Sequence, residues 1–161
     1  MMSWGTFTKT KLPIKLISIS FKKATQQDLN AILAIEERIF STPWSQQKLL
    51  DSFENSNTHM QLILHNEKIA GYLITLNSLD FSDILTLAIT PEFQRQGLGF
   101  KLLDDLQQRL KLCNIRTIFL EVRVSNVVAI CFYQKYGFKL IDTREKYYSN
   151  LEDAKILRLL I

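Results

Sequence analysis

One short turn in this chain has the chemistry of an anion-binding site. Its residues are Gln94, Arg95, Gln96, Gly97, Leu98 and Gly99, which follow a strand-like segment ending at Ile89 and open an amphipathic helix. Backbone N–H groups at the start of a helix have no intrahelical acceptor, and the helix dipole favours negative charge there. Glycine lets the backbone approach a ligand closely, and Arg95 adds positive charge. The turn is therefore predicted to bind a pyrophosphate group.

A carboxylate interrupts the apolar strand that follows this helix. Glu121 lies within the strand-like segment Thr117 to Val122. Burying a carboxylate is costly unless it has a partner or faces a cleft. Glu121 is therefore interpreted either as a residue that lines a cleft or as a strand-end glutamate paired with Arg116 or Arg123. Its position one helix after the anion-binding turn favours the cleft.

A second carboxylate, Glu36, lies inside the apolar arc of a predicted helix, at 100° per residue. The apolar residues of that arc are Leu29, Ile32, Leu33 and Phe40. A carboxylate on the face turned to the sheet suggests a polar pocket for a cationic amine. The alternative is a residue at the edge of the arc that reaches water.

The helix that begins at Asn126 carries two further candidates. Tyr133 shares a face with Ala129, Phe132 and Tyr136, so it is either a functional hydroxyl or a packed core tyrosine. Asn126 has the residue type of a helix N-cap, a role that is compatible with a ligand contact.

The order strand, Gly-x-Gly, helix, strand, acid is also the outline of a dinucleotide-binding fold. Three features argue against it here. Leu102 occupies the third glycine position, the loop from Pro91 to Gln96 is too long for the tight first turn, and only one more strand–helix unit follows.

The composition is that of an ordinary soluble globular protein with a slight basic excess. The 161 residues carry a net charge of +4, and 47% of them are hydrophobic. The lysines near the N-terminus lack interleaved aromatic residues, so direct nucleic-acid binding is not expected. No apolar run approaches the length of a membrane span and no secretory signal is evident, so we expect no membrane association and a cytoplasmic location.

Neither a disulfide nor a metal centre is expected. The two cysteines, Cys113 and Cys131, do not form a C-x-x-C pair, and His59 and His65 lack the spacing of helical metal ligands.

Periodicity and turn residues predict an α+β fold in a single domain from residue 17 to 161, after a loose basic lead-in over residues 1–16. The predicted strands are 17–21, 60–64, 69–76, 84–89, 117–122, 138–142 and 154–160. The predicted helices begin at Thr25 (with Asp28 completing a capping box), Ser45, the glycine turn and Asn126.

Several motifs together resemble the GNAT family of acetyl-CoA-dependent N-acetyltransferases. They are Gln94-x-x-Gly97-x-Gly99, the run from Leu120 to Asn126, Ala129-Ile130, the run from Tyr133 to Phe138, Pro43-Trp44-Ser45, the run from Arg144 to Tyr148, and Glu152-Asp153-Ala154. The resemblance covers nearly everything from Ile17 to the C-terminus. It is strongest to the members that acetylate the N-terminal alanine of a small-subunit ribosomal protein.

The resemblance implies a mixed, mostly antiparallel sheet of about seven strands with helices on both faces and a splayed central strand pair. It also implies a role for each matching residue. Glu121 matches the general base and Tyr133 the general acid. Leu87, Ala88, Ile89 and Asn126 match the segments that contact the acetyl-pantetheine arm, and residues 94–99 match the pyrophosphate site. Pro43, Trp44, Tyr147 and Tyr148 match loops that border the acceptor, beside which we also place Glu36.

The implied cosubstrate is acetyl-CoA, without a metal, and the implied acceptor is the N-terminus of a ribosomal protein. The expected assembly is a monomer or weak dimer. An α-amine, with a pKa of about 8, is neutral some two hundred times more often at pH 7 than a lysine of pKa about 10.4, which favours an N-terminal acceptor. Two alternatives are a GNAT enzyme acting on a small-molecule amine and a non-catalytic module that binds acyl-CoA.

Overall fold

The computed structural model describes residues 16–161, which build a seven-stranded sheet with helices against both faces. The strands are β1 (Ile19–Lys23), β2 (Thr58–His65), β3 (Lys68–Asn77), β4 (Phe81–Ile89), β5 (Thr117–Arg123), β6 (Lys139–Arg144) and β7 (Ala154–Leu160). The helices are α1 (Leu29–Ile39), α2 (Gln46–Glu54), α3 (Leu98–Leu112) and α4 (Val127–Tyr136). Except for Leu16, the predicted N-terminal lead-in lies outside the described residues.

The strand order is β1-β2-β3-β4-β5-β7-β6, and every neighbouring pair is antiparallel except the parallel pair β4–β5. This confirms the predicted mixed, mostly antiparallel sheet. The doubly wound alternative would require parallel pairing throughout, so the topology excludes it.

The helix starts follow the predicted capping chemistry. Ser45 Oγ accepts a hydrogen bond from the Lys48 N–H (3.1 Å) at the start of α2. The Thr25 N–H donates to the Asp28 carboxylate (2.8 Å), but this first turn is a 3-10 turn and α1 begins only at Leu29. Phe40 lies just beyond the end of α1, in extended backbone.

Most predicted strand limits differ from the observed ones by one to three residues, and the start of β4 differs most. The first strand begins at Ile19 rather than residue 17, and β4 begins at Phe81 rather than Ile84. The sequence of β4 concealed its start, because polar Ser82 and Asp83 interrupt the apolar run there. Pairing with both neighbouring strands nevertheless extends β4 back to Phe81 and Ser82.

Each face of the sheet has its own apolar core. One core packs α3 and α4 against the sheet through residues such as Leu102, Leu106 and Ile130. The other packs α1 and α2 through residues such as Ile32 and Leu49. Both cores share the central strands, so residues that alternate along β4 and β5 reach opposite faces.

The two central strands separate along their length. β4 pairs with β5 only from Phe81 to Ile84, opposite Thr117 to Leu120, whereas β4 stays paired with β3 as far as Ile89. A register shift at Leu85 marks the point of divergence. The segment 85–89 and the end of β5 therefore form the two sides of an opening in the sheet, which is the predicted splay.

Candidate active site

The turn from Gln94 to Gly99 begins where the splayed segment of β4 ends. Arg95 and Gly97 have positive φ angles of 61° and 78°, which curl the backbone into a tight turn. The Gln94 side-chain amide donates to the Ile89 carbonyl (2.8 Å) and closes the loop onto β4. Within residues 16–161, no backbone carbonyl accepts a hydrogen bond from the N–H groups of residues 95–100. These free amides form a cradle suited to a phosphate group.

The two glycines of the turn serve different purposes. Gly97 has a left-handed backbone and open space around the position of a Cβ. A Cβ on Gly99 would lie 2.9 Å from two ring atoms of Phe132, so a larger residue here would displace that ring, and glycine allows α3 to pack closely on α4. The sequence motif was interpreted as allowing approach to a ligand, and the packing role of Gly99 emerges only from the structure.

Glu121 lies on β5 and points to the face that carries α1 and α2, away from the phosphate turn and α4. Along β5 the buried residues Ile118, Leu120 and Val122 alternate with partly exposed ones that include Glu121. The Arg144 guanidinium donates to the Glu121 carboxylate, and both side chains keep access to solvent. The partner anticipated from the sequence was Arg116 or Arg123. Arg123 instead pairs with Glu152 (3.0 Å).

Asp83 is a second carboxylate at this site and was not identified from the sequence. It lies on β4, paired in register with Phe119, and burial together with the nearby negative charge of Glu121 raises its pKa. Arg144 acts in the opposite direction. Asp142 and Lys48 also line this site, which therefore holds three carboxylates and two cationic side chains. The small excess of negative charge suits a cationic acceptor.

A cavity of about 1110 Å³ opens over Asp83 and Glu121 between α2, β6 and the loop that joins β6 to β7; we term it the β4–β5 cavity. Its lining includes Trp44, Lys48, Phe81, Leu85, Arg144, Tyr147 and Tyr148. Three residues predicted to border the acceptor, Trp44, Tyr147 and Tyr148, are thus brought together, whereas the exposed Pro43 is not part of the lining.

The two tyrosines of the β6–β7 loop are tied to the end of β5. The Arg123 guanidinium lies 3.8 Å from the centre of the Tyr148 ring, and the neighbouring Glu121 carboxylate raises the pKa of Tyr147. Glu152 accepts hydrogen bonds from the backbone and side chain of Ser125, which lower its pKa to about 2. This carboxylate therefore holds the loop against the segment that leads into α4.

Tyr133 lies on α4, on the opposite face of the sheet from Glu121. Its ring packs between Phe132 and Phe138 and is only 7% exposed. Burial raises the pKa of its hydroxyl, so the group stays protonated at neutral pH. Tyr133 is therefore a residue of the α3–α4 core.

Asn126 caps α4, because its Oδ1 accepts a hydrogen bond from the Ala129 N–H (3.1 Å). Three other residues were predicted to contact the acetyl-pantetheine arm. Ala88 is buried against the α1–α2 core, and Leu87 and Ile89 pack against the α3–α4 core. All three lie on the splayed segment of β4, beside the opening.

Glu36 is 1% exposed and does not reach water, which rules out the interpretation as a residue at the edge of the arc. Its carboxylate accepts hydrogen bonds from the Trp44 N–H (3.0 Å), the Thr86 hydroxyl (3.1 Å) and the Tyr72 hydroxyl. It therefore lies behind the wall of the β4–β5 cavity.

Residues 16–161 contain no group of three or more metal-ligating side chains and no helix long and apolar enough to cross a membrane.

Known proteins share both the sequence pattern and the fold. Residues 29–138 match the family described as Acetyltransferase (GNAT) family. The [ribosomal protein bS18]-alanine N-acetyltransferase of Escherichia coli, RimI, is 37% identical over 135 residues, which cover 82% of this chain and 90% of that protein. The crystal structure of the Escherichia coli ribosomal-protein-S18-alanine N-acetyltransferase superposes with a TM-score of 0.82 at 33% identity, covering 89% of this chain and 94% of that one. The fold is also that of Arabidopsis thaliana NAA60 in complex with acetyl-CoA, with a TM-score of 0.78 at 16% identity over 89% of this chain and 99% of that one.

Proposed function

This chain belongs to the GNAT acetyltransferase family, and we propose that it transfers the acetyl group of acetyl-CoA to the N-terminal α-amine of a protein. The proposed acceptor is the N-terminal alanine of a small-subunit ribosomal protein, in the cytoplasm. Identity of 37% to an enzyme named for that reaction supports this choice of acceptor.

The observation that carries the proposal is the opening between β4 and β5, with candidate site residues on both faces of the sheet beside it. The phosphate-binding turn and Tyr133 lie on the α3–α4 face, and Glu121 with the β4–β5 cavity lies on the other. A donor anchored at the turn reaches the opening from one side, and an acceptor in the cavity reaches it from the other.

The unpartnered amides of residues 95–100 and the charge of Arg95 fit a pyrophosphate group. Beyond Ile84, the edge of β4 that faces β5 is released from the sheet ladder. In the proposed reaction, backbone N–H groups of this edge donate to the thioester carbonyl and stabilise the negative charge that develops on its oxygen.

Two side chains of the chain handle the protons in the proposed reaction. Glu121 accepts a proton from the acceptor ammonium, directly or through water, and so frees the amine lone pair to attack the thioester carbon. A C–N bond forms and the C–S bond breaks, and the departing sulfur takes the hydroxyl proton of Tyr133. The attacking nitrogen loses its second proton to water as the amide forms. Proton exchange with solvent then restores the Tyr133 hydroxyl and the Glu121 carboxylate. Burial raises the pKa of Tyr133, so its hydroxyl is protonated at neutral pH and can act as the proton donor.

The size and polarity of the β4–β5 cavity favour a peptide over a small amine. Its volume of about 1110 Å³ is above the usual range of small-molecule pockets, roughly 300–1,000 Å³. Aromatic and charged side chains line it from α2, β4, β5, β6 and the loops next to them, as expected for a groove that holds several residues of an extended chain.

The proposal is tested by incubating the purified protein with acetyl-CoA and ribosomal proteins, followed by mass spectrometry of their N-termini. We expect one acetyl group on an N-terminal alanine. Synthetic N-terminal peptides and a panel of polyamines and aminoglycosides, compared by thiol release, separate the two enzymatic alternatives. Binding of acetyl-CoA with no transfer to any amine would instead establish a binding module.

A further inference from the structure

Glu36 is a charged side chain enclosed almost completely by the protein. It is 1% exposed, and no lysine, arginine or histidine among residues 16–161 forms an ion pair with it. An isolated carboxylate in such a place is costly. Three donors offset that cost, because one oxygen accepts from Tyr72 and Thr86 and the other from the Trp44 N–H. Hydrogen bonds to an ionised acceptor are the strong ones.

The three donors belong to three different parts of the molecule. Trp44 is in the loop between α1 and α2, Tyr72 is on β3, and Thr86 is on β4. Thr86 comes directly after the register shift at Leu85, within the segment of β4 that has left β5. Trp44 lines the β4–β5 cavity. One carboxylate thus joins a wall of the cavity to the strand that borders the opening.

Apolar packing holds both ends of the loop between α1 and α2, because Phe40 and Trp44 pack against the α1–α2 core. Residues 41–43 are exposed, and the ring of Trp44 is half-buried beneath the Lys48 ammonium, 4.2 Å from the ring centre. The hydrogen bond from the Trp44 N–H to Glu36 adds a directional polar contact to this packing and links the loop to β4 through the Thr86 hydroxyl.

We propose that Glu36 is a positioning residue for acceptor binding, which holds Trp44 at a fixed distance from the splayed segment of β4. This inference rests on the proposed function, since it assumes that the β4–β5 cavity receives the acceptor. Glu36 does not touch the acceptor; it acts through Trp44 on one side and Thr86 on the other.

A carboxylate suits this position because all three partners arrive as donors and both of its oxygens accept. A glutamine has one acceptor oxygen and one NH₂ group. If its oxygen faces Trp44, both hydroxyls must turn to accept from the NH₂ group. If its NH₂ group faces Trp44, two N–H groups oppose each other. Glu36→Gln therefore keeps the shape of the side chain and weakens the attachment of the loop.

The test uses full-length protein with Trp4→Phe, because Trp4 and Trp44 are the two tryptophans of the chain and Trp44 then reports alone. In Glu36→Gln we expect the KM for an N-terminal alanine peptide to rise roughly tenfold, which corresponds to about 1.4 kcal/mol. The KM for acetyl-CoA stays within about twofold, because the turn at residues 94–99 lies on the other face. Acrylamide quenches the fluorescence of Trp44 more strongly. Glu37→Gln, which alters the neighbouring exposed carboxylate of α1, is the matched control.

Thr86→Val and Tyr72→Phe each remove one donor and leave the carboxylate in place. We expect each to raise the acceptor KM less than Glu36→Gln does. If the circular dichroism of Glu36→Gln shows that it does not fold, these two variants replace it in the test. An equal rise of both KM values, or Trp44 quenching identical to the parent protein, would overturn the positioning role. The fluorescence measurement needs no turnover, so failure of the proposed reaction would be seen separately, as absence of acetylation by the parent protein.

Discussion

Replacing Glu121 by glutamine should separate the chemistry of this residue from its contribution to stability. Glutamine has the same shape and cannot accept the proton of an ammonium group. We expect kcat at pH 7 to fall on the order of 10²–10⁴-fold, the usual effect of removing a general base. A hundredfold loss corresponds to about 2.7 kcal/mol of activation free energy.

The accompanying loss of folding stability should be much smaller. The substitution also removes the ion pair between Glu121 and Arg144. The Glu121 side chain is 29% exposed and the Arg144 side chain is 53% exposed. An ion pair with that much solvent access contributes about 1 kcal/mol or less. For a domain of this size, such a loss lowers Tm by about 2–4 °C. A large fall in kcat with a small fall in Tm would therefore identify Glu121 as chemically active.

The assay is thiol release with an alanine peptide at saturating acetyl-CoA, from pH 6.5 to 9.5. The loss should shrink as pH rises, because an α-amine with a pKa near 8 is mostly neutral above about pH 9 and needs no base. Arg144→Gln is the matched control, since it breaks the same ion pair and keeps the carboxylate; we expect a loss below about tenfold.

Two results would refute this assignment. In the first, Arg144→Gln loses as much activity as Glu121→Gln, which would make the ion pair and not the base the important feature. In the second, Glu121→Gln retains its rate while Asp83→Asn loses it. The proton would then pass to Asp83, the other carboxylate of the β4–β5 cavity.

Four further outcomes follow from individual residues. Tyr133→Phe should lower kcat by 10²-fold or more with little change in Tm, because its hydroxyl supports the reaction rather than the core; equal kcat would exclude Tyr133 as the acid. Gly99→Ala should destabilise by about 1–3 kcal/mol in urea unfolding, because its Cβ would lie 2.9 Å from the Phe132 ring, and Phe132→Leu should relieve part of that cost. Gly97→Ala meets no atoms and should cost roughly 1–2 kcal/mol from its positive φ alone, so Phe132→Leu should not rescue it. Burial lowers the pKa of His59 below its usual 6.5, so the unfolded chain binds more protons there; stability should fall as pH drops below about 6.5, and His59→Gln should flatten that slope in urea titrations.

Local sequence determined the elements whose signals are short-range. The capping oxygen of Ser45 and the glycine turn ahead of α3 act within a few residues, so their chemistry is visible in the chain itself. The alternation along β5 likewise places Glu121 on the face opposite to Leu120 and Val122. Together with the family motifs, these signals were sufficient for the sheet, the helices on both faces and the splay.

Tertiary structure alone decided which side chains meet. Arg144 reaches Glu121 although β7 lies between their strands, and Asp83 joins them because β4 and β5 run parallel with Asp83 opposite Phe119. Glu36 meets Thr86, fifty residues further along the chain. Strand order and register set these contacts, and both depend on the packing of the whole chain rather than on any window of sequence. The sequence therefore determined which groups are available for chemistry, and the fold determined the charge and the partners that surround each of them.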